Sequence, residues 1–73
     1  MSKKVTVYGA SWCGPCQRAK QYLNEREIPY EYVDVDENPE AMPKGYKSIP
    51  LVDIDGVLYA GFGPHTAKAL DAD

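Results

Sequence analysis

The chain is expected to fold as an α/β protein, in the order β-α-β-α-β-β-α with one four-stranded mixed sheet. Three observations carry this expectation. A short alternating segment at residues 4–8 leads into a helical pattern and then into a second strand-like run at 30–35, rich in Tyr and Val; two strands joined by a helix are parallel. Residues 51–54 and 57–60 flank Asp55-Gly56, among the strongest two-residue hairpin signals, so the closing strands are antiparallel. The 73 residues leave room for one small domain, 1–73, and none for a second.

Each element has a local reason. In the first strand Val5 and Val7 share one face, with Thr6 and Tyr8 on the other. Residues 9–12 read as a loop, and a helix begins near Cys13 or Gly14. Pro15 suits its first turn, where a missing N–H costs nothing. Cys16, Ala19 and Leu23 fall at helical spacing and mark the buried stripe, with Gln17, Arg18, Gln21 and Glu25 facing water. Pro29 biases Ile28 towards an extended backbone, which ends the helix near Glu27. Asp36-Glu37-Asn38-Pro39 is acidic and turn-like, and Pro43 and Gly45 limit a second helix to about one and a half turns. Pro64 opens a last helix through Leu70, and residues 71–73 fray. Helices are expected on both faces of the sheet.

Composition excludes several functions. Net charge is −3, from 8 basic and 11 acidic residues spread along the chain. There is no basic block for nucleic acid and no basic amphipathic helix for a membrane surface. No apolar run approaches the ~20 residues of a membrane span. Residues 1–5 lack a signal peptide's apolar stretch and cleavage site, so the expectation is a cytoplasmic chain whose thiols are kept mostly reduced.

The chemistry lies in Trp12-Cys13-Gly14-Pro15-Cys16, which holds the only two cysteines. A bridge between them closes a loop of about four residues and removes little unfolded-state entropy, so it is a poor structural staple. Two thiols so spaced at a helix start form a two-electron couple, and the context points to a dithiol redox site. Unpaired N–H groups and the helix dipole favour a thiolate at Cys13, which is expected to be the exposed attacker. Cys16, one turn further in, is the expected resolving thiol. Ile49-Pro50 precedes the third strand; a cis bond is expected there, leaving the Ile49 backbone to pair with an extended substrate.

The chain resembles the thioredoxin/glutaredoxin superfamily over its whole length. Trp-Cys-Gly-Pro-Cys is the thioredoxin form of the active-site segment, while the length is glutaredoxin-like. Residues 45–52, Gly-Tyr-Lys-Ser-Ile-Pro-Leu-Val, are similar to the glutaredoxin segment that leads into a cis-proline. Residues 59–64, Tyr-Ala-Gly-Phe-Gly-Pro, resemble a stretch of the NrdH-redoxins, the glutaredoxin-like hydrogen donors of ribonucleotide reductase. The resemblance implies a thioredoxin-like fold in its minimal glutaredoxin form, disulfide exchange, and electrons from thioredoxin reductase. It implies no cofactor on this chain. Ala10 stands where glutaredoxins usually carry a glutathione-holding lysine, and residues 61–65 lack the usual Gly-Gly and paired aspartates.

Partner contacts are expected from Trp12, Gly14, Pro15, Ile49, Pro50, Gly61 and Phe62, with Phe62 equally readable as a core residue. The tyrosines read as packing residues, Tyr8 and Tyr46 being the better placed for a direct role. Lys44 and Lys47 read as solvated. His65 with the two cysteines makes a ligand set one short of a structural zinc site, so no metal is expected. The first strand and active-site loop contain no acidic residue, which leaves Asp53 or water to accept a proton. Two alternatives stay open: a glutathione-dependent glutaredoxin, and a non-catalytic module docking through Trp12, Pro50 and Phe62. A monomer is expected, meeting thioredoxin reductase and ribonucleotide reductase or other disulfide-bearing proteins.

Overall fold

The computed structural model describes residues 4–71. Its elements are β1 (Val5–Gly9), α1 (Gly14–Glu25), β2 (Tyr30–Asp34), a single 3-10 turn (Pro39–Ala41), β3 (Leu51–Ile54), β4 (Val57–Ala60) and α2 (Pro64–Asp71). The sheet order is β2-β1-β3-β4. β1 runs parallel to β2, with Val5 opposite Tyr30 and Gly9 opposite Asp34. It runs antiparallel to β3, which pairs antiparallel with β4. This is the thioredoxin-like mixed sheet that the sequence predicts. Of the residues predicted to fray, Asp71 is instead the last residue of α2 and is held by Tyr22 and Arg26, while 72 and 73 fall outside the described residues.

The hairpin turns through Asp55 and Gly56 with φ of 54° and 90°. Two successive positive φ angles match the strands' twist, which is why Asp-Gly serves here. Asp53 Oδ1 accepts the Gly56 N–H at 2.8 Å, closing the turn. The main core gathers Val5, Val7, Leu23, Val52, Ile54 and Leu70. Burying an aliphatic side chain of this size contributes about 1.5–3 kcal/mol. Because Leu23 of α1 and Leu70 of α2 enter the same cluster, both α-helices cover one face of the sheet, which corrects the expectation of helices on both. They are tied together at the surface. The Tyr22 hydroxyl donates to Asp71 at 2.7 Å, Arg26 lies 3.3 Å from the same carboxylate, and the Tyr22 and Phe62 rings meet edge-on at 5.3 Å. The bond to Asp71 holds the Tyr22 phenol above its ordinary pKa; burial adds to this and Arg26 opposes it.

Residues 38–50 carry only the 3-10 turn, shorter than the helix predicted there. Pro39 opens it and Pro43 follows its C-cap, and each removes a backbone donor. α1 ends two residues before the predicted Glu27. Glu27 N–H bonds Asn24 O at 3.1 Å and Ile28 N–H bonds Leu23 O at 3.0 Å, with Glu27 at φ 56°. This is a Schellman closure with a non-glycine residue in the left-handed position.

Candidate active site: a dithiol at a helix N-terminus

Parallel pairing of β1 and β2 sends the chain out of β1 at the edge where α1 begins. Cys13 is the N-cap of α1, with an extended backbone, and Pro15 sits in the first turn. The cap is a sulfur: Cys13 Sγ accepts the Cys16 N–H at 3.2 Å. A helix N-terminus leaves such donors unpaired, and one aimed at sulfur favours negative charge there. Cys13 and Cys16 are joined as a disulfide with Cα atoms 5.2 Å apart.

Cys13 is 6% exposed and Cys16 0%. The outer-inner order agrees with the sequence, but Cys13 is less open than predicted. The cysteines and Ala10 form their own small cluster, with Ile49 packed against it, and the cap bond folds the Cys13 sulfur back over the helix end. The preceding loop is pinned by the Ala10 carbonyl, which accepts the Cys13 N–H and the Gln17 side-chain amide, each at 3.1 Å. Gln17, predicted to face water, is half-buried because of that bond.

Several expected partner-contact residues come together around this cluster. The Ile49–Pro50 bond is cis. Pro50 is buried, and its carbonyl accepts the Gly61 N–H at 2.8 Å. Gly61 O accepts the buried Thr66 hydroxyl at 2.8 Å, which holds the 61–63 loop against α2. Gly14 and Pro15 are exposed beside Cys13. Trp12 is 70% exposed, and its indole N–H donates to the Asp36 carboxylate. Phe62 belongs elsewhere: it is half-buried against the main core and Tyr22, apart from the cysteine cluster. Of Trp12, Pro50 and Phe62, Trp12 alone is open to solvent. His65 is exposed, with Nε2 3.0 Å from Ala60 O. Lys44, Tyr46 and Lys47 are exposed, and Tyr8 is half-buried. Asp53 is engaged in the hairpin turn, at the end of β3 remote from Pro50, so it is not the proton acceptor offered by the sequence.

Three residues of the site went unread in the sequence. Gly9 packs so closely that a Cβ there would lie 2.8 Å from both Cys16 Cβ and Sγ. Asp36 follows β2, and the parallel partner of a strand that feeds the motif must end beside it, so its position was inferable. The Asp34 carboxylate sets that turn by accepting the Asp36 N–H at 2.9 Å. Tyr32, on β2, carried no signal beyond strand alternation.

Known proteins place this geometry. The family model described as Glutaredoxin matches residues 5–59. The glutaredoxin-like protein NrdH of Lactococcus lactis is 34% identical over 64 residues, 82% of this chain and 89% of that one. The glutaredoxin-like protein NrdH of Escherichia coli is 28% identical over 71 residues, 92% of this chain and 88% of that one. A solved structure of the E. coli NrdH-redoxin, described as having a thioredoxin-like activity profile, superimposes with a TM-score of 0.81 at 26% identity, covering 96% of this chain and 97% of that one. With a capped dithiol at the head of α1 and these relatives along nearly its whole length, the chain belongs to the glutaredoxin family, on its NrdH-like side, and is a disulfide oxidoreductase of the thioredoxin fold.

Proposed function

We propose that the chain is a dithiol electron carrier, reduced by thioredoxin reductase and delivering electrons to ribonucleotide reductase or other protein disulfides. The observation that carries the assignment of roles is the cap: Cys13 is the outer sulfur and already accepts the Cys16 N–H at 3.2 Å. Reduced Cys13 attacks one sulfur of the substrate disulfide. A mixed disulfide forms, and the other substrate sulfur leaves with the electron pair and takes a proton. Cys16 thiolate then attacks Cys13 Sγ, the Cys13–substrate bond breaks, and the second substrate thiol departs. The substrate gains two electrons and the Cys13–Cys16 pair loses two; the reductase restores them. Trp12, Gly14, Pro15 and Ile49 form the rim a partner meets.

Two features support a reductase over glutathione as donor. Ala10 is fully buried where a lysine would be needed, and the 61–63 loop is held by Pro50 and Thr66 without presenting a carboxylate. The NrdH-like relatives support the client. Cys13→Ser is expected to abolish insulin reduction, and Cys16→Ser to accumulate a mixed disulfide with ribonucleotide reductase, read on a non-reducing gel. Full turnover by Cys13→Ser contradicts the assignment.

A further inference from the structure

Resolution by Cys16 requires a buried thiol to ionise. Cys16 is 0% exposed, and a negative charge in such a place forms only where a donor meets it. The helix-end N–H of Cys16 is turned to Cys13 Sγ. Asp36 is engaged with Trp12 and Asp53 with the hairpin turn.

One polar group beside Cys16 has no such engagement. The Tyr32 hydroxyl is shielded from solvent and its proton has no acceptor among the described residues; the Gln17 side-chain amide approaches the oxygen only as a donor, which favours the phenolate. It reaches the same small space as the Cys16 sulfur. The point where a Cβ on Gly9 would sit is 2.8 Å from Cys16 Sγ and 3.2 Å from Tyr32 Oη. The absence of a side chain at Gly9 lets α1 and β2 bring sulfur and phenol together over the end of β1. A buried hydroxyl left without a partner is costly, and native structures keep one only for a reason.

We propose that Tyr32 is the hydrogen-bond donor to the resolving sulfur: once the disulfide opens, its O–H turns to Cys16 Sγ and stabilises the thiolate that completes exchange. The proposal rests on the reading of Cys16 as the resolving thiol. Tyr32 acts as donor and not as base. Burial above all holds its phenol above the ordinary pKa, Gln17 opposes this, and Asp34, Asp36 and Tyr30 add to it, so the proton stays on oxygen at neutral pH. From α1 the Lys20 ammonium also stands 4.1 Å over the ring. The Cys16 proton passes to water, the Cys16–Cys13 bond forms, and the Cys13–substrate bond breaks with its electron pair on the departing sulfur.

Tyr32→Phe keeps the ring and deletes the hydroxyl. When the reduced protein meets an aromatic disulfide such as DTNB, the first thiolate released reports attack by Cys13 and the second reports resolution by Cys16. The variant is expected to keep the first phase and to slow the second about tenfold at neutral pH, with its pH profile displaced to the alkaline side. A 13C NMR titration of the Cys16 Cβ in the reduced protein is expected to show the same displacement without relying on activity. The oxidised variant is expected to melt close to the parent, since the parent's O–H has no acceptor to lose and the Gln17 amide keeps its bond to Ala10 O; a general packing defect would lower it well below. Superimposable second phases and titrations overturn the proposal. A parent protein that releases no second thiolate contradicts the resolving role of Cys16, and the titration still decides whether Tyr32 serves that sulfur.

Discussion

At its N-terminal end α1 is capped by a reactive atom, and at its C-terminal end it is closed by backbone alone. Cys13 Sγ takes the Cys16 N–H at 3.2 Å, whereas the other end folds back through Glu27 and Ile28 onto Asn24 and Leu23. The first end is packed so tightly that only glycine fits at position 9. The second lies under an exposed network of Tyr22, Arg26 and Asp71. The difference teaches where this small chain tolerates change. Its chemistry depends on a cap whose charge changes with redox state, held by neighbours that cannot move. Its helix closure is independent of that chemistry and is open to improvement.

Substitutions at the two ends sharpen the contrast, and the largest effect is expected at Gly9. In Gly9→Ala the new methyl meets Cys16 Cβ and Sγ at 2.8 Å, far inside ordinary contact. Overpacking of this kind costs about 1–3 kcal/mol, to be read from urea unfolding, and turnover with insulin falls with it. Wild-type stability in Gly9→Ala would break the claim that this end is rigid.

A smaller effect is expected one step out. Asp36→Ala removes the acceptor of the Trp12 indole and lets the exposed ring wander. A bond of this type contributes about 0.5–1.5 kcal/mol. The KM for a protein disulfide rises about threefold, while the attack rate on DTNB, which needs no docking surface, is unchanged.

The smallest effect has the opposite sign and sits at the far end. Glu27 holds φ 56°, a conformation costly for a side chain and open to glycine. Glu27→Gly raises stability by up to about 1 kcal/mol and leaves the thiol chemistry untouched. A change in DTNB kinetics in that variant would show that the two ends are coupled.

Much of this architecture was legible because its causes are local. Asp55-Gly56 carries its own turn chemistry, and both hairpin strands fall where that turn puts them. The Cys16, Ala19 and Leu23 stripe follows from helical spacing and is buried as expected. The segment around Pro39 was less legible, because proline limits a helix without saying whether one turn or two survives. Gly9, Asp36 and Tyr32 were hidden for a different reason. Each acts across the fold, on Cys16 or Trp12: Gly9 through the packing of α1 on β1, Tyr32 and Asp36 through the parallel pairing of β1 with β2, from which only Asp36's place could be inferred. The burial of Cys13 was missed likewise, since Ile49 reaches it from beyond the 3-10 turn.

The central claim is that this dithiol is wired to a reductase and not to glutathione. The direct measurement is NADPH consumption when the protein, added in its oxidised form, is re-reduced and passes electrons to insulin, with thioredoxin reductase in one cuvette and glutathione plus glutathione reductase in the other. Sustained turnover with thioredoxin reductase, at a rate at least tenfold above the glutathione system, is the expected result. Rapid turnover with glutathione alone would contradict it.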